Sequence, residues 1–343
     1  MGMKDKVRVG VIGAGRIGSL HAEYLATRIP EAELIAVSDV RREAAEQCAQ
    51  TWDIPEVYED PDAVMSHDRI DAVLICSSTD THATLIEQAA AAGKHIFCEK
   101  PIDLDIARID RALEAVARAG VTLMVGFNRR FDHNFRRLRE LVASGAVGEP
   151  HLFHIVSRDP APPPLDYIEV SGGLFLDMTI HDFDMARYLV GSEVETLHVM
   201  GDVRIDPAIG EAGDLDTAVI MMRFENGVIG TIDNSRQAVY GYDQRAEVFG
   251  SKGAARTAND YPNTAQLADA DGVRGDNPLY FFIERYTQSY VDEVRAFIQA
   301  LSEGTPPPTT GADGRIAILM GYAAKRSVSE GRPVTMAEIE DAL

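Results

Sequence analysis

Five short apolar runs in the first third of the chain constrain its fold more than any other feature: VRVGVIG (7–13), AELIAVSD (32–39), DAVLICSS (71–78), KHIFCEK (94–100) and VTLMVGF (121–127). Segments with helical periodicity fill the gaps, among them IGSLHAEYLATR, REAAEQCAQTW, HATLIEQAAAAG and DIARIDRALEAVARAG. Strands separated by whole helices form parallel βαβ units with right-handed crossovers rather than hairpins. Each run is apolar almost throughout, as a strand covered on both faces must be. The spacing predicts an α/β architecture, with a doubly wound parallel sheet over residues 1–127.

The texture changes after Gly148-Glu149-Pro150. HLFHIVSRD, ETLHVMGDVRI, DTAVIMMRFE, GVIGTIDNSRQ and AEVFGSKGAARTA follow, with turn residues between them. Asn226-Gly227 between two of these runs is a strong hairpin signal. The proline density at 160–164 marks a loop, because proline cannot donate to a sheet ladder. Residues 128–343 therefore read as a second, α+β domain with an open, mostly antiparallel sheet. One sheet face is expected to pack on the amphipathic stretch GGLFLDMTIHDFDMARYL (172–189). Helices are expected at 281–303 and, after the TPPPTT linker, at 312–330, the last of them free to pack back on the first domain.

A chain of 343 residues suits two cores rather than one. Its formal net charge of −21 opposes binding to phosphate backbones and anionic lipid, so neither nucleic acid nor membrane is expected as a partner. A local basic pocket for a cofactor phosphate is still compatible with that charge. No apolar run approaches the roughly 18 residues of a membrane span, and the N-terminus shows no signal-peptide core. Met1-Gly2 invites N-terminal acylation, but Lys6 stands where the motif wants Ser or Thr. The three cysteines, Cys48, Cys76 and Cys98, are odd in number and lack CxxC spacing; they read as reduced thiols in a cytoplasmic protein.

Gly13-Ala14-Gly15-Arg16-Ile17-Gly18 is a GxGxxG run that follows the first strand and opens the first helix. That context gives the motif its force. The glycines allow a tight turn and bring a pyrophosphate close to the helix N-terminus. Asp39 closes the second strand, about 20 residues on, where a carboxylate accepts bonds from ribose hydroxyls and favours NAD over NADP. Asp39 also suits capping of the helix that follows, and Arg41 and Arg42 offer a counter-charge for a 2′-phosphate.

Cys98-Glu99-Lys100-Pro101 ends a strand of the parallel sheet, on the edge where such folds bind ligands. Lys100 there is either a surface lysine or a group that orients a substrate hydroxyl. Downstream, Asp177 and His181 lie four residues apart on one predicted helix face, with Asp184 three further along. A carboxylate one turn before an imidazole suits general acid/base chemistry near neutral pH. A solvated polar face and a buried, self-satisfied pair are the other readings of the same spacing. Metal ligation by His151 and His154, or by Asp177 with His181, finds no third and fourth ligand at a known spacing, so no metal is expected. His151 and His154 fall on opposite faces of a strand.

GAGRIG, AVSD, CEKP and GGLFLDMTIHDFDMARYL, in this order, resemble the Gfo/Idh/MocA oxidoreductase family. GFNRRFDHNFRRLRE (126–140) and YGYDQRAEVFGSKG (240–253) are the more specific pieces, and they are similar to the inositol-oxidising members. The resemblance runs from residue 7 to about 333. It implies a Rossmann domain, an open-sheet domain, a homotetramer, and nicotinamide and polyol meeting between the domains. It implies hydride transfer from a cyclic polyol to NAD⁺, with myo-inositol giving scyllo-inosose; scyllo-inositol, glucose or a deoxy-sugar is the alternative, and a non-catalytic ligand sensor the reading from another class. Lys100, Asp177 and His181 would be the catalytic trio. Gly13, Gly15, Arg16, Ile17, Gly18, Asp39, Val40, Arg41, Ser77, Ser78, Thr79, His82, Glu99 and Lys100 would line the cofactor. Arg130, Asp159, Tyr240 and Tyr242 would lie near the substrate with the trio.

Overall fold

The computed structural model describes residues 6–343, so the Met1-Gly2 acylation motif lies outside the described residues. Strands β1 (Val7–Ile12), β2 (Ala32–Ser38), β3 (Glu56–Tyr58), β4 (Ala72–Ile75), β5 (His95–Glu99) and β6 (Leu123–Gly126) pair in parallel in the order β3-β2-β1-β4-β5-β6. This is the expected doubly wound sheet. Its strand order reverses between β1 and β4, the place where such sheets open a crevice at their carboxyl ends. Val9, Val11, Ala36, Val73, Leu74, Ile96 and Phe97 are fully buried, which explains the continuous apolar runs. Strand β3 has only three half-buried residues at the sheet edge and carries no such run.

The chain folds as two units. The first joins the residues through Asn128 to Gln288–Ile316. Within it the Phe297 ring meets Phe97 at 5.9 Å, and the Thr309 hydroxyl donates to the Val125 carbonyl at 2.6 Å. A segment distant in sequence thus completes the packing around β5 and β6.

The second unit, Arg129–Thr287 with Ala317–Leu343, is built on a seven-stranded sheet. Its strands are β7 (Pro150–Arg158), β8 (Val194–Asp202), β9 (Thr217–Phe224), β10 (Ile229–Ser235), β11 (Asp243–Gly250), β12 (Gly253–Arg256) and β15 (Val334–Thr335), in the order β12-β11-β7-β10-β9-β8-β15. Strands β13 (Gln266–Asp269) and β14 (Gly272–Gly275) form a separate exposed hairpin. Every pairing in the large sheet is antiparallel except β7 with β10. Asn226-Gly227 makes the turn between β9 and β10, where the Phe224 amide donates to the Val228 carbonyl at 2.9 Å.

One face of this sheet is core. Ala218, Ile220, Met222 and Phe224 alternate inward along β9, and Ile232, Phe153, Ile155 and Val248 join them. The helix Thr179–Val190 packs on β7, as the amphipathic pattern requires. The opposite face exposes Leu152, Met200, Val219, Met221, Ile229 and Phe249. Long helices occupy Phe282–Glu303 and Gly311–Glu330, and a short one, Met336–Glu340, is closed by a Thr335/Glu338 capping box. No helix of the described residues is long and apolar enough to cross a membrane.

Gly230 pairs with Phe153 across β10 and β7. A Cβ on Gly230 would lie 1.8 Å from Phe153 Cδ1 and 2.6 Å from its carbonyl oxygen. Gly230→Ala should therefore overpack the core and lower stability by about 1–3 kcal/mol, read as a reduced urea midpoint at unchanged m-value.

Candidate functional site

The first unit gathers its proposed cofactor residues at the carboxyl ends of β1, β2, β4 and β5. Gly13 follows β1 with φ +95°, and a Cβ there would strike the Cys76 carbonyl at 2.7 Å. A Cβ on Gly18 would lie 1.8 Å from the Gly13 carbonyl oxygen. Nothing lies within 4 Å of a Cβ placed on Gly15, which caps the helix Arg16–Thr27 with no side-chain bond to its amides. Open space over uncapped helix amides suits an approaching diphosphate. Ile17 is half-buried and Arg16 exposed beside them.

Asp39, just past β2, has a largely buried carboxylate, 10% exposed. One oxygen accepts from the Ala14 amide at 2.8 Å, the other from the Arg41 amide at 2.8 Å. The side chain therefore ties the glycine turn to the end of β2. Val40 and Arg41 are exposed alongside, and the Arg41 guanidinium stands 3.7 Å from the Asp39 carboxylate. These residues fit an adenine dinucleotide: room for the diphosphate, and an acidic group at the ribose position.

Ser77, Ser78 and Thr79 follow β4 at the start of the helix Thr79–Ala91. The Ser77 hydroxyl shares a hydrogen bond with Thr81 at 2.7 Å. His82 is buried, its ring nitrogens 2.8 Å from the Pro101 carbonyl and 3.0 Å from the Ser77 carbonyl. It links the turn after β4 to the turn after β5. Lys100 is half-buried at the end of β5 and joins Pro101 through a cis peptide. The Glu99 carboxylate meets His21 Nε2 at 2.7 Å.

In the second unit the stretch 172–189 is not one regular helix. Gly172 and Gly173 adopt positive φ, and Leu174–Met178 form a wide π turn in which the Thr179 amide donates to the Leu174 carbonyl. Such insertions occur often at functional sites. Asp177 lies in this turn and His181, half-buried, in the α-helix that follows. The Tyr167 hydroxyl donates to Asp177 at 3.0 Å, and the Arg236 guanidinium stands 3.5 Å from its other oxygen.

Arg236 is 1% exposed, yet its Nε and Nη2 have no hydrogen-bond partner among the described residues. Asp214 lies 3.7 Å away and accepts the Leu174 amide at 2.9 Å. Asp159 belongs to the same cluster. Loss of solvation raises its pKa to about 6, with Arg236 opposing the rise and the Asp177 charge adding to it.

The structure separates the remaining aspartates by role. Asp184 is buried and bound by one edge of the Arg130 guanidinium, with Nε donating at 2.8 Å and Nη2 at 2.5 Å, so it is neither solvated nor open. Asp182, which the spacing did not single out, is fully buried against Arg129, and the Asn234 amide donates to it at 2.9 Å. Tyr242 is buried and accepts from Arg129 at 3.3 Å. Tyr240 is partly exposed; its hydroxyl accepts from Arg158 at 3.3 Å and donates to Asp243.

Arg129, Asp182, Asp214, Asn234 and Arg236 were thus missed from the sequence. For two of them a signal existed: Asn234 and Arg236 continue the inward parity of Ile232 along GVIGTIDNSRQ.

Residues 7–127 match the oxidoreductase family with an NAD-binding Rossmann fold, and residues 135–256 match the GFO/IDH/MocA C-terminal domain. The chain belongs to the Gfo/Idh/MocA oxidoreductase family. It is 53% identical to a myo-inositol 2-dehydrogenase of Thermotoga maritima, covering 97% of this chain and 99% of that protein. It is 47% identical to an inositol 2-dehydrogenase of Rhizobium meliloti, covering 96% and 99%. It also superposes on a scyllo-inositol dehydrogenase from Lactobacillus casei, crystallised with NAD(H) and scyllo-inositol. That match has a TM-score of 0.90 at 32% identity and covers 97% of this chain and all of the other.

Two measurements check the geometry. Asp39→Ala removes the carboxylate that ties the glycine turn to the end of β2 and should weaken NAD⁺ binding more than NADP⁺ binding in a fluorescence titration. A carboxyl raised in the folded state stabilises the fold below its unfolded pKa of about 4 and loses that contribution as pH rises through about 6. Asp159→Asn should therefore flatten the decline in unfolding free energy between those pH values.

Proposed function

We propose that this protein is an NAD-dependent inositol 2-dehydrogenase that oxidises myo-inositol to scyllo-inosose. The observation that carries the reading is identity over nearly the full length of both chains to the Thermotoga maritima myo-inositol 2-dehydrogenase. The Gly15–Asp39 cradle and the Asp177/His181 pair agree with it. NAD⁺, when bound, supplies the hydride acceptor.

The chain's own groups then have distinct tasks. Neutral His181 takes the proton of the reacting hydroxyl as that carbon becomes a ketone. Lys100 donates a hydrogen bond to the same oxygen and stabilises its developing negative charge. Asp177, held by Tyr167 and Arg236, accepts from a neighbouring ring hydroxyl and sets which carbon reacts. Arg130, Asp159, Tyr240 and Tyr242 frame the polyol, with Arg130 held by Asp184. Ser77, Ser78, Thr79, His82 and Glu99 support the nicotinamide end. Asp39 makes NAD the preferred cofactor, because its carboxylate repels a 2′-phosphate.

The exposed apolar face of Leu152, Val219, Met221, Ile229 and Phe249 supports a homotetramer joined through this sheet. Three free, buried thiols suit the reducing cytoplasm, where we place the enzyme. The likeness to the scyllo-inositol dehydrogenase makes scyllo-inositol the second substrate to consider.

Initial-rate NADH formation over a panel of inositols and hexoses tests the reading. myo-Inositol should give the highest kcat/KM, and His181→Ala and Lys100→Ala should each lower kcat by at least about 100-fold. A panel with no reduction of NAD⁺ would overturn the dehydrogenase assignment, and undiminished rates in both variants would overturn the catalytic roles.

A further inference from the structure

Behind the Glu99-Lys100-Pro101 turn lies a closed polar cluster within the first unit. His21, on the helix Arg16–Thr27, is 0% exposed. Its Nε2 meets Glu99 at 2.7 Å, and its ring packs edge-on against Phe97 at 5.4 Å and Tyr290 at 5.8 Å. Glu293, on the helix Phe282–Glu303, is also 0% exposed, and neither carboxylate oxygen has a hydrogen-bond partner among the described residues. One of these oxygens lies within 4.8 Å of the facing atoms of His21 and Glu99. Gly126 makes room for the cluster, since a Cβ there would sit 3.0 Å from Glu99 Oε2.

Charge decides what such a cluster can hold. No lysine or arginine forms an ion pair with Glu99 or Glu293 among the described residues. Among the other titratable groups, the Tyr290 ring packs on His21, and the buried thiols of Cys76 and Cys98 have pKa values that burial pushes well up, so they stay neutral. Two carboxylates and a neutral imidazole would bury two negative charges. A proton on one carboxyl removes one of these charges, and burial away from water favours taking it up. Glu293 is the group to carry it, since burial and then the Glu99 charge both disfavour its anion.

We propose that His21, Glu99 and Glu293 form an enclosed polar network, with Glu293 the neutral acid and Glu99 hydrogen-bonded to His21, that positions Lys100. The catalytic half of this statement rests on the function proposed above. Glu99 immediately precedes Lys100, and His82 holds the Pro101 carbonyl from the other side. The turn is thereby fixed at both ends. In this arrangement Glu293 and His21 touch no reacting atom and act through Glu99.

Infrared spectroscopy of the purified full-length protein, without substrate, tests the network. A protonated carboxylic acid band that shifts in D₂O should persist at about pH 8 to 9, above the titration of Asp159, in the wild type and vanish in Glu293→Gln. Glu99→Gln, which removes the partner of His21, should lower kcat for myo-inositol about 10- to 100-fold with KM changed less than about threefold. Absence of the band, its survival in Glu293→Gln, or a wild-type kcat in Glu99→Gln would each overturn the proposal. So would a stoichiometric divalent metal found by elemental analysis, because a dication would then neutralise the carboxylates in place of the proton. The infrared signal is independent of substrate, so a wild type inactive on every polyol would count against the dehydrogenase reading while the band still decides the network.

Discussion

Four elements of the second unit meet at one buried ion pair, Arg129 with Asp182. Arg129 also reaches the Ser157 hydroxyl on β7 and the Tyr242 hydroxyl, and its guanidinium lies over the Tyr286 ring at 5.9 Å. Asp182 takes a further bond from Asn234 on β10. The neighbouring pair Arg130–Asp184 repeats the connection two residues along the same helix. Removing one member of such a pair strands its partner and costs about 3–5 kcal/mol. The helix that carries His181 is therefore pinned by two buried carboxylates. Asp177 and His181 inherit their positions from that anchoring.

The two units solve the problem of buried charge differently. The second unit surrounds its arginines with aspartates, and Arg236, facing Asp177 and Asp214, is the case with donors left over. A cation with unmet donors thus stands beside the proposed catalytic carboxylate. In the first unit no lysine or arginine among the described residues pairs with Glu99 or Glu293, and in the proposed network a proton removes one of the charges. Both arrangements place buried side chains behind a residue proposed to meet substrate in one orientation.

Much of this is legible in the order of residues alone. The apolar runs of β1, β2, β4, β5 and β6 disclose the parallel sheet because both faces are covered, and Asn226-Gly227 discloses the β9–β10 turn. Strands β3 and β15 are invisible there, being two or three residues long and only partly apolar. GAGRIG and Asp39 can be placed because the strand ends and the helix start put them on one edge. Asp184 cannot be interpreted that way, since its partner Arg130 is 54 residues earlier and nothing in a periodic pattern names it. Tyr242 likewise meets Arg129, a partner 113 residues away that no local pattern names.

The sequence by itself determined the parallel sheet, the glycine turn over the helix amides, the alternating sheet of the second unit and the Asp177/His181 spacing. Those features depend on neighbours a few residues apart, where backbone geometry and periodicity act directly. Tertiary structure decided which charges pair, that Asp177 sits in a π turn rather than on a regular helix, that Arg236 faces it, and that Glu293 meets Glu99 and His21. These outcomes depend on residues far apart in the chain being brought into the same dry interior, where an unmatched charge costs more than any local preference can offset.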